Sequence, residues 1–119
     1  MEKINFASKF ELFDELWSPR VIAQMNNYEF KLVKIKDEFV WHRHDDTDEV
    51  FIVLQGVISI EFEDRIVELN QGEMLVVPKE EKHKPFAREE AQILLVESKG
   101  VTNTGEVESH LTAKTGQWI

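Results

Sequence analysis

The spacing of apolar and polar positions divides the chain into three stretches. In the first of them Phe6, Phe10, Phe13 and Trp17 recur at intervals of four, three and four, which is one face of a helix. Ser8 followed by Glu11 has the form of a capping box, and Pro19 supplies a stop. The same residues also suit an irregular Phe-rich arm packed on the body. From Val21 the period becomes two. Apolar residues fall on even numbers from Tyr28 to Leu32 and on odd numbers at Val33 and Ile35. That change of phase predicts a bulge or a strand passing between sheets. Phe39–His44 and Glu49–Leu54 predict two more strands, and Gly56 a turn. Val57–Glu63 alternates, with Ile58, Ile60 and Phe62 on one face. Asp64-Arg65 turns into Ile66–Leu69, and after the Asn70-Gln-Gly72 turn signal Met74–Val77 and Ala91–Val96 are short apolar strands. Many short strands without a long helix predict an all-β sandwich or barrel. The final stretch, Ser98–Ile119, is polar and aperiodic but ends on Trp118-Ile119, a pair disfavoured in water. The expected organisation is an arm at 1–20, a barrel at 21–97, and a tail at 98–119 that packs on the barrel or on a partner subunit.

Composition narrows the class. A chain of 119 residues supports one core. It carries 14 Lys+Arg against 23 Asp+Glu, a net charge of −9. Such acidity opposes binding to nucleic acid and to anionic lipid, both of which call for clustered cations. There is no cysteine, hence no disulfide or thiolate chemistry. The longest run without a charged residue, Val50–Ile60, is 11 residues; a membrane span needs about 20 apolar ones. Charges throughout the first 20 residues interrupt any signal core, and the expected location is the cytoplasm.

Candidate chemistry is concentrated in Trp41-His-Arg-His-Asp-Asp-Thr-Asp-Glu49. Two residues apart on a strand, His42 and His44 share a face, roughly 6–7 Å apart. Two imidazoles at that spacing can converge on one ion at about 2.1 Å each. Asp45–Asp48 suits a hairpin loop, which would close with His44 opposite Glu49 and turn Glu49 to the same side. This register sets His42 opposite Phe51 and Val40 opposite Val53. The inner face becomes an apolar slot with three ligand-type groups at one end. The loop lacks an EF-hand pattern, so it reads as a solvated turn. Lys79–Lys82 reads as an exposed turn, and His110 as a surface residue. Nothing local draws His83 to the same ion.

The spacing His42-x-His44-x4-Glu49-x6-Gly56, with Gly72-x5-Pro78-x4-His83 further on, resembles the two motifs of the cupin superfamily. The resemblance implies a double-stranded β-helix, or jelly-roll barrel, in which His42, His44, Glu49 and His83 hold a divalent metal. It departs from the second motif at Glu80, where glycine is usual, and at Ala87, where asparagine is usual. Neither position is a usual ligand. The whole chain is also similar to small single-domain cupins of the mannose-6-phosphate isomerase-like group. Three neutral histidines and one carboxylate suit Mn, Fe, Co, Ni or Zn.

Two functions follow as expectations. One is a metal-dependent enzyme acting on a small polar metabolite, in the manner of cupin isomerases or dioxygenases. The other is a binding or sensing module that holds its ligand through the metal. No acid–base residue is identifiable from the sequence. A homodimer is expected, because the predicted hairpin's outer face carries Trp41, Arg43, Val50, Ile52 and Leu54, four of them apolar.

Overall fold

A computed structural model describes residues 1–119. A short helix α1 (Phe6–Phe10) precedes seven strands: β1 (Arg20–Met25), β2 (Tyr28–Glu38), β3 (Glu49–Gln55), β4 (Ile58–Phe62), β5 (Ile66–Leu69), β6 (Met74–Val77) and β7 (His83–Ser98). All pairings between strands are antiparallel, in the order β1-β2-β7-β3-β6, with β4 joining β7 to β5. Strand β7 joins the two halves of this one seven-stranded sheet. Its first residues, His83–Phe86, pair with β4, and Gln92–Glu97 pair with β3. Where β7 changes partner, Gly56 adopts φ +91, and a side chain there would press on Ala91 at 3.0 Å. The architecture is the all-β jelly-roll class expected.

Two apolar clusters occupy opposite faces of the long sheet. Inside the barrel lie Trp17, Val33, Ile35, Phe51, Val53, Ile58, Ile60, Phe62 and Ile93, among others. Outside, Phe10, Phe13, Ile22, Leu32 and Leu94 form a smaller cluster, against which Phe30, Ile52, Leu54 and Ile119 pack. This two-sided burial explains the phase change at Leu32/Val33. No bulge occurs there, because β2 pairs with β7 in unbroken register from Tyr28↔Ser98 to Ile35↔Ala91. Both faces are covered, so apolar residues appear in both phases.

The aromatic stripe of the N-terminus is divided rather than shared by one helix. Asn5, not Ser8, caps α1, its side chain accepting from the Ser8 N–H at 2.9 Å. Phe10 at the end of α1 and Phe13 beyond it lie on the outer face. Trp17, at φ +58, turns into the barrel and stacks on Phe39 at 4.5 Å. At the other end, Ile119 N–H donates to Val21 O at 3.1 Å, and Trp118 bridges Val21 while remaining 54% exposed.

The expected strand Phe39–His44 and its hairpin with Glu49–Leu54 do not form. Phe39–Asp48 is irregular except for a bridge between His42 and His83. Strand β3 has both edges filled, by β6 and by β7, so no edge remains for the histidine segment. Glu49 lies opposite Val77 and Glu97, and the pairs His42–Phe51 and Val40–Val53 are absent. Trp41 accordingly does not share the outer face of Val50, Ile52 and Leu54.

Candidate metal centre

Three parts of the chain deliver the four predicted ligands to one place. His42 and His44 come from the irregular segment, Glu49 opens β3, and His83 opens β7. The irregular segment is fastened on several sides. His42 and His83 exchange both backbone hydrogen bonds, at 3.0 and 2.9 Å. Glu80 N–H donates to His44 O at 2.8 Å, and to do so Glu80 adopts φ +71. That is the left-handed region glycine favours, which accounts for glycine being usual at this position of the family motif; Glu80 keeps that turn with a side chain glycine would not carry. Gly105, at φ +63, packs its Cα so tightly on the Arg43 carbonyl that no side chain fits. Asp48 accepts from Lys79 N–H at 2.8 Å, and Thr47 Oγ1 accepts from Ser98 N–H at 3.2 Å, so the loop before Glu49 is tied to both flanking elements.

One ligand-type atom from each of His42, His44, Glu49 and His83 lies within 4.8 Å of the other three, and all four residues are buried. The tautomers of two rings follow from their neighbours. His42 Nδ1 is 2.9 Å from Val40 O and His83 Nδ1 is 2.8 Å from Glu81 O. A carbonyl oxygen only accepts, so each Nδ1 carries the proton and each Nε2 keeps its lone pair. Glu49 Oε1 is 3.5 Å from His44 Nε2 and 3.3 Å from His83 Nε2. Yet Glu49 Oε1, His44 Nε2 and His83 Nε2 are buried without an aligned hydrogen-bond partner. Three orphaned, electron-rich atoms directed at one another are costly unless a cation lies between them. The donor set of imidazole nitrogens and a carboxylate oxygen fits a divalent transition metal.

Electrostatics follow from burial. Desolvation, with repulsion from His83 next, pushes His42 down to about 4. Burial alone would raise Glu49, but contacts from His44 and His83 overcome it and hold the carboxyl well below the usual range. On the other side of Glu49 stands Glu97, also buried. Burial first, and the Glu49 charge second, raise its carboxyl well above the usual range, with Lys31 opposing.

The approach to the centre is polar. A cavity of about 760 Å³ opens beside His42 over Trp41. Its walls carry Asp45, Glu63, Asp64, Glu80, Glu81 and Glu106 against only Arg43 and Lys82. Arg43 Nε is already paired with Asp45 at 2.9 Å. Six carboxylates and two cations give 2 − 6 = −4. The expected apolar slot behind the ligands is filled instead. Trp17, Phe39 and Phe51 leave about 30 Å³ there, the space of a single water. Open volume thus lies at the charged mouth and not in the barrel axis.

Sequence reasoning missed Glu29, Lys31 and Glu97, each at most 3% exposed. A signal existed. Projecting the inward phase of Val33 and Ile35 back along β2 places Lys31 and Glu29 inside.

An antiparallel jelly-roll with a buried three-histidine, one-carboxylate cluster at one end defines a metal-site cupin architecture. The chain belongs to that family: residues 30–97 match the Cupin domain. Uncharacterized protein YdbB of Bacillus subtilis (strain 168) is 34% identical over 79 residues, spanning 66% of this chain and 70% of that protein. A solved cupin-2 domain containing protein from Shewanella frigidimarina is 57% identical, with TM-score 0.80, over 81% of this chain and 94% of its own. Protein NMB1881 from Neisseria meningitidis superposes with TM-score 0.76 at 29% identity, over 82% of this chain and 100% of its own.

Proposed function

We propose that this cupin is a divalent-metal enzyme acting on a small, uncharged or cationic polar metabolite. One observation carries the reading: three orphaned buried donor atoms converge beside His42, the one residue of the four that also lines the open cavity of about 760 Å³. His42, His44, Glu49 and His83 would hold the metal, which supplies Lewis-acid polarisation of a ligand oxygen. The chain's own residues divide the remaining work. Backbone carbonyls of Val40 and Glu81 fix the ring orientation of His42 and His83. The Trp17–Phe39 stack excludes water from behind the centre. Carboxylates at the mouth select against anionic ligands by repulsion. A phosphate-bearing sugar finds no free cation pair there, so likeness to the mannose-6-phosphate isomerase-like group does not in this reading extend to its substrate.

A second reading, a non-catalytic module that holds a ligand through the metal, is favoured by a different observation. The ion pairs and hydrogen bonds of the four side chains lead only to one another and to backbone carbonyls, and the one further ionisable neighbour is Glu97, across the strands from Glu49. Metal analysis of natively purified protein, followed by a thermal-shift screen of neutral, cationic and anionic metabolites, tests the proposal. Stoichiometric metal and stabilisation by neutral or cationic compounds support it. Absence of metal, or a preference for phosphorylated compounds, overturns it; turnover of the stabilising compound separates enzyme from binding module.

The assembly we propose is a two-fold dimer through the outer face of the long sheet. Tyr28, Met74 and Val76 are 47%, 56% and 49% exposed there. They border the half-buried Phe30, Val50, Ile52 and Val96. Helix α1 and the residues after it cover the part of this face around Leu32 and Leu94, leaving the rest for a second copy. Trp41, on the cavity wall, has no part in it.

A further inference from the structure

Behind the candidate centre the barrel holds a row of charge that the four ligands do not explain. Glu29 on β2 lies opposite Glu97 on β7, and Glu97 lies opposite Glu49 on β3. Three carboxylates therefore stand side by side on the inward face of adjacent strands, an arrangement of like charges that destabilises a sheet. Lys31, two residues along β2 from Glu29, directs its ammonium into the row. Lys31 Nζ is 3.1 Å from Glu97 Oε1 and 3.8 Å from Glu29 Oε1. All four residues are at most 3% exposed, so water does not screen them. Glu97 Oε2 has no hydrogen-bond partner. A lone buried ion pair is already expensive, and a row with two surplus carboxylates is far more so.

With every carboxylate ionised, the state a cation at the centre favours over the protonated Glu97 of the metal-free chain, the charges add to zero only when the centre is included. Three carboxylates and one ammonium give −3 + 1 = −2, and three neutral histidines add nothing. A divalent cation among the histidines and Glu49 brings the sum to 0. We propose that Glu97 is a positioning residue for the metal, braced by Lys31, and that the Glu29–Glu97–Lys31 row tunes the centre's charge for a divalent cation through Glu49. The inference rests on the metal reading above and adds to it residues that never touch the ion.

The test uses Co²⁺ as the probe, titrated into the metal-free full-length protein and into Glu97→Gln and Lys31→Met/Glu97→Gln. Visible absorption reports both occupancy and the ligand field, and far-UV circular dichroism reports the fold. Glu97→Gln leaves −2 + 1 + 2 = +1 and should bind Co²⁺ about 10- to 100-fold more weakly, with a shifted spectrum. The double variant restores −2 + 2 = 0, and replacing a buried pair by neutral groups is tolerated by folds. It should recover to within about fivefold of the unsubstituted protein, a coupling that independent structural defects do not produce. Glu97→Gln that binds with unchanged affinity and spectrum overturns the inference, since Glu97 would then act at most as a neutral hydrogen-bond donor. So does a double variant no better than the single one. Unsubstituted protein that takes up no Co²⁺ overturns the metal reading and this inference together, whereas the first two results leave the metal reading standing.

Discussion

The two faces of the long sheet invert the usual arrangement. At one end of the barrel the inward face carries His42, His44, His83, Glu49, Glu97, Glu29 and Lys31, all buried. The outward face of the same strands carries Phe30, Leu32, Val50, Ile52, Val76, Leu94 and Val96, several of them half-exposed or exposed. A sheet selected for stability alone would reverse this, since burying charge costs and exposing apolar area forgoes the hydrophobic gain. In the proposed reading the polar groups inside serve the centre and the apolar groups outside meet a second copy. The remainder of the inner face, Val33, Ile35, Val53, Ile60 and Ile93, is ordinary core. The fold therefore rests on one end of the barrel and the site on the other.

That division predicts that the ends can be perturbed separately. The largest effect belongs to His44→Ala, which should lower divalent-metal affinity by about 100-fold or more. Far-UV circular dichroism should hardly change, because the apolar end is untouched. A variant that unfolds would instead make the centre structural and erase the contrast.

Titration of His42 comes next. Its ordinary value of 6.5 falls to about 4 in the folded, metal-free chain. Between those values the unfolded state binds the extra proton, so stability contributed at neutral pH is lost as pH falls. A shift of 6.5 − 4 = 2.5 units corresponds to about 3 kcal/mol. Taking the difference between the protein and His42→Gln cancels the groups that do not act on His42, notably Glu97, whose raised carboxyl acts in the opposite sense. That difference should shrink by about 3 kcal/mol from pH 7 to pH 4 in denaturant melts. A flat difference would mean that the inner face is wetter than its burial implies.

On the outer face, Val76→Glu puts a charge into the middle of the proposed dimer contact, at a cost of about 2 kcal/mol or more per buried charge. Sedimentation should show a shift from dimer to monomer, with the metal titration unaltered. An unsubstituted protein that sediments as a 14.0 kDa monomer at micromolar concentration would remove the outer face from the comparison. The smallest effect is expected at Glu80→Gly. Relief of the left-handed backbone at φ +71 should stabilise the fold by about 1 kcal/mol, visible as a higher melting temperature.

Much of this contrast is legible in the chain. Alternation over Ile58–Phe62 places that strand correctly, because it has one covered face and a period of two, and the Asp64-Arg65 turn places Ile66–Leu69 after it. The four candidate ligands were also legible, through spacing for His42, His44 and Glu49 and through family resemblance for His83. Their means of convergence was not. A hairpin from His44 to Glu49 is the economical local solution, but pairing β3 with β6 and β7 satisfies more backbone groups and leaves the histidine segment irregular.

Local sequence determined what depends on neighbours a few residues apart: where strands run, where turns interrupt them, and which residue types could ligate a metal. Tertiary structure decided what depends on which strands meet. Only the β2–β7–β3 register brings Glu29, Glu97 and Glu49 into one row, from positions separated by up to 68 residues of chain. Only the packing of Phe10 and Phe13 on one face and Trp17 on the other divides a stripe that reads as a single helix. Periodicity reports the environment of each strand alone. The energy of a buried charge is set by what lies across from it, and that partner is chosen by the fold as a whole.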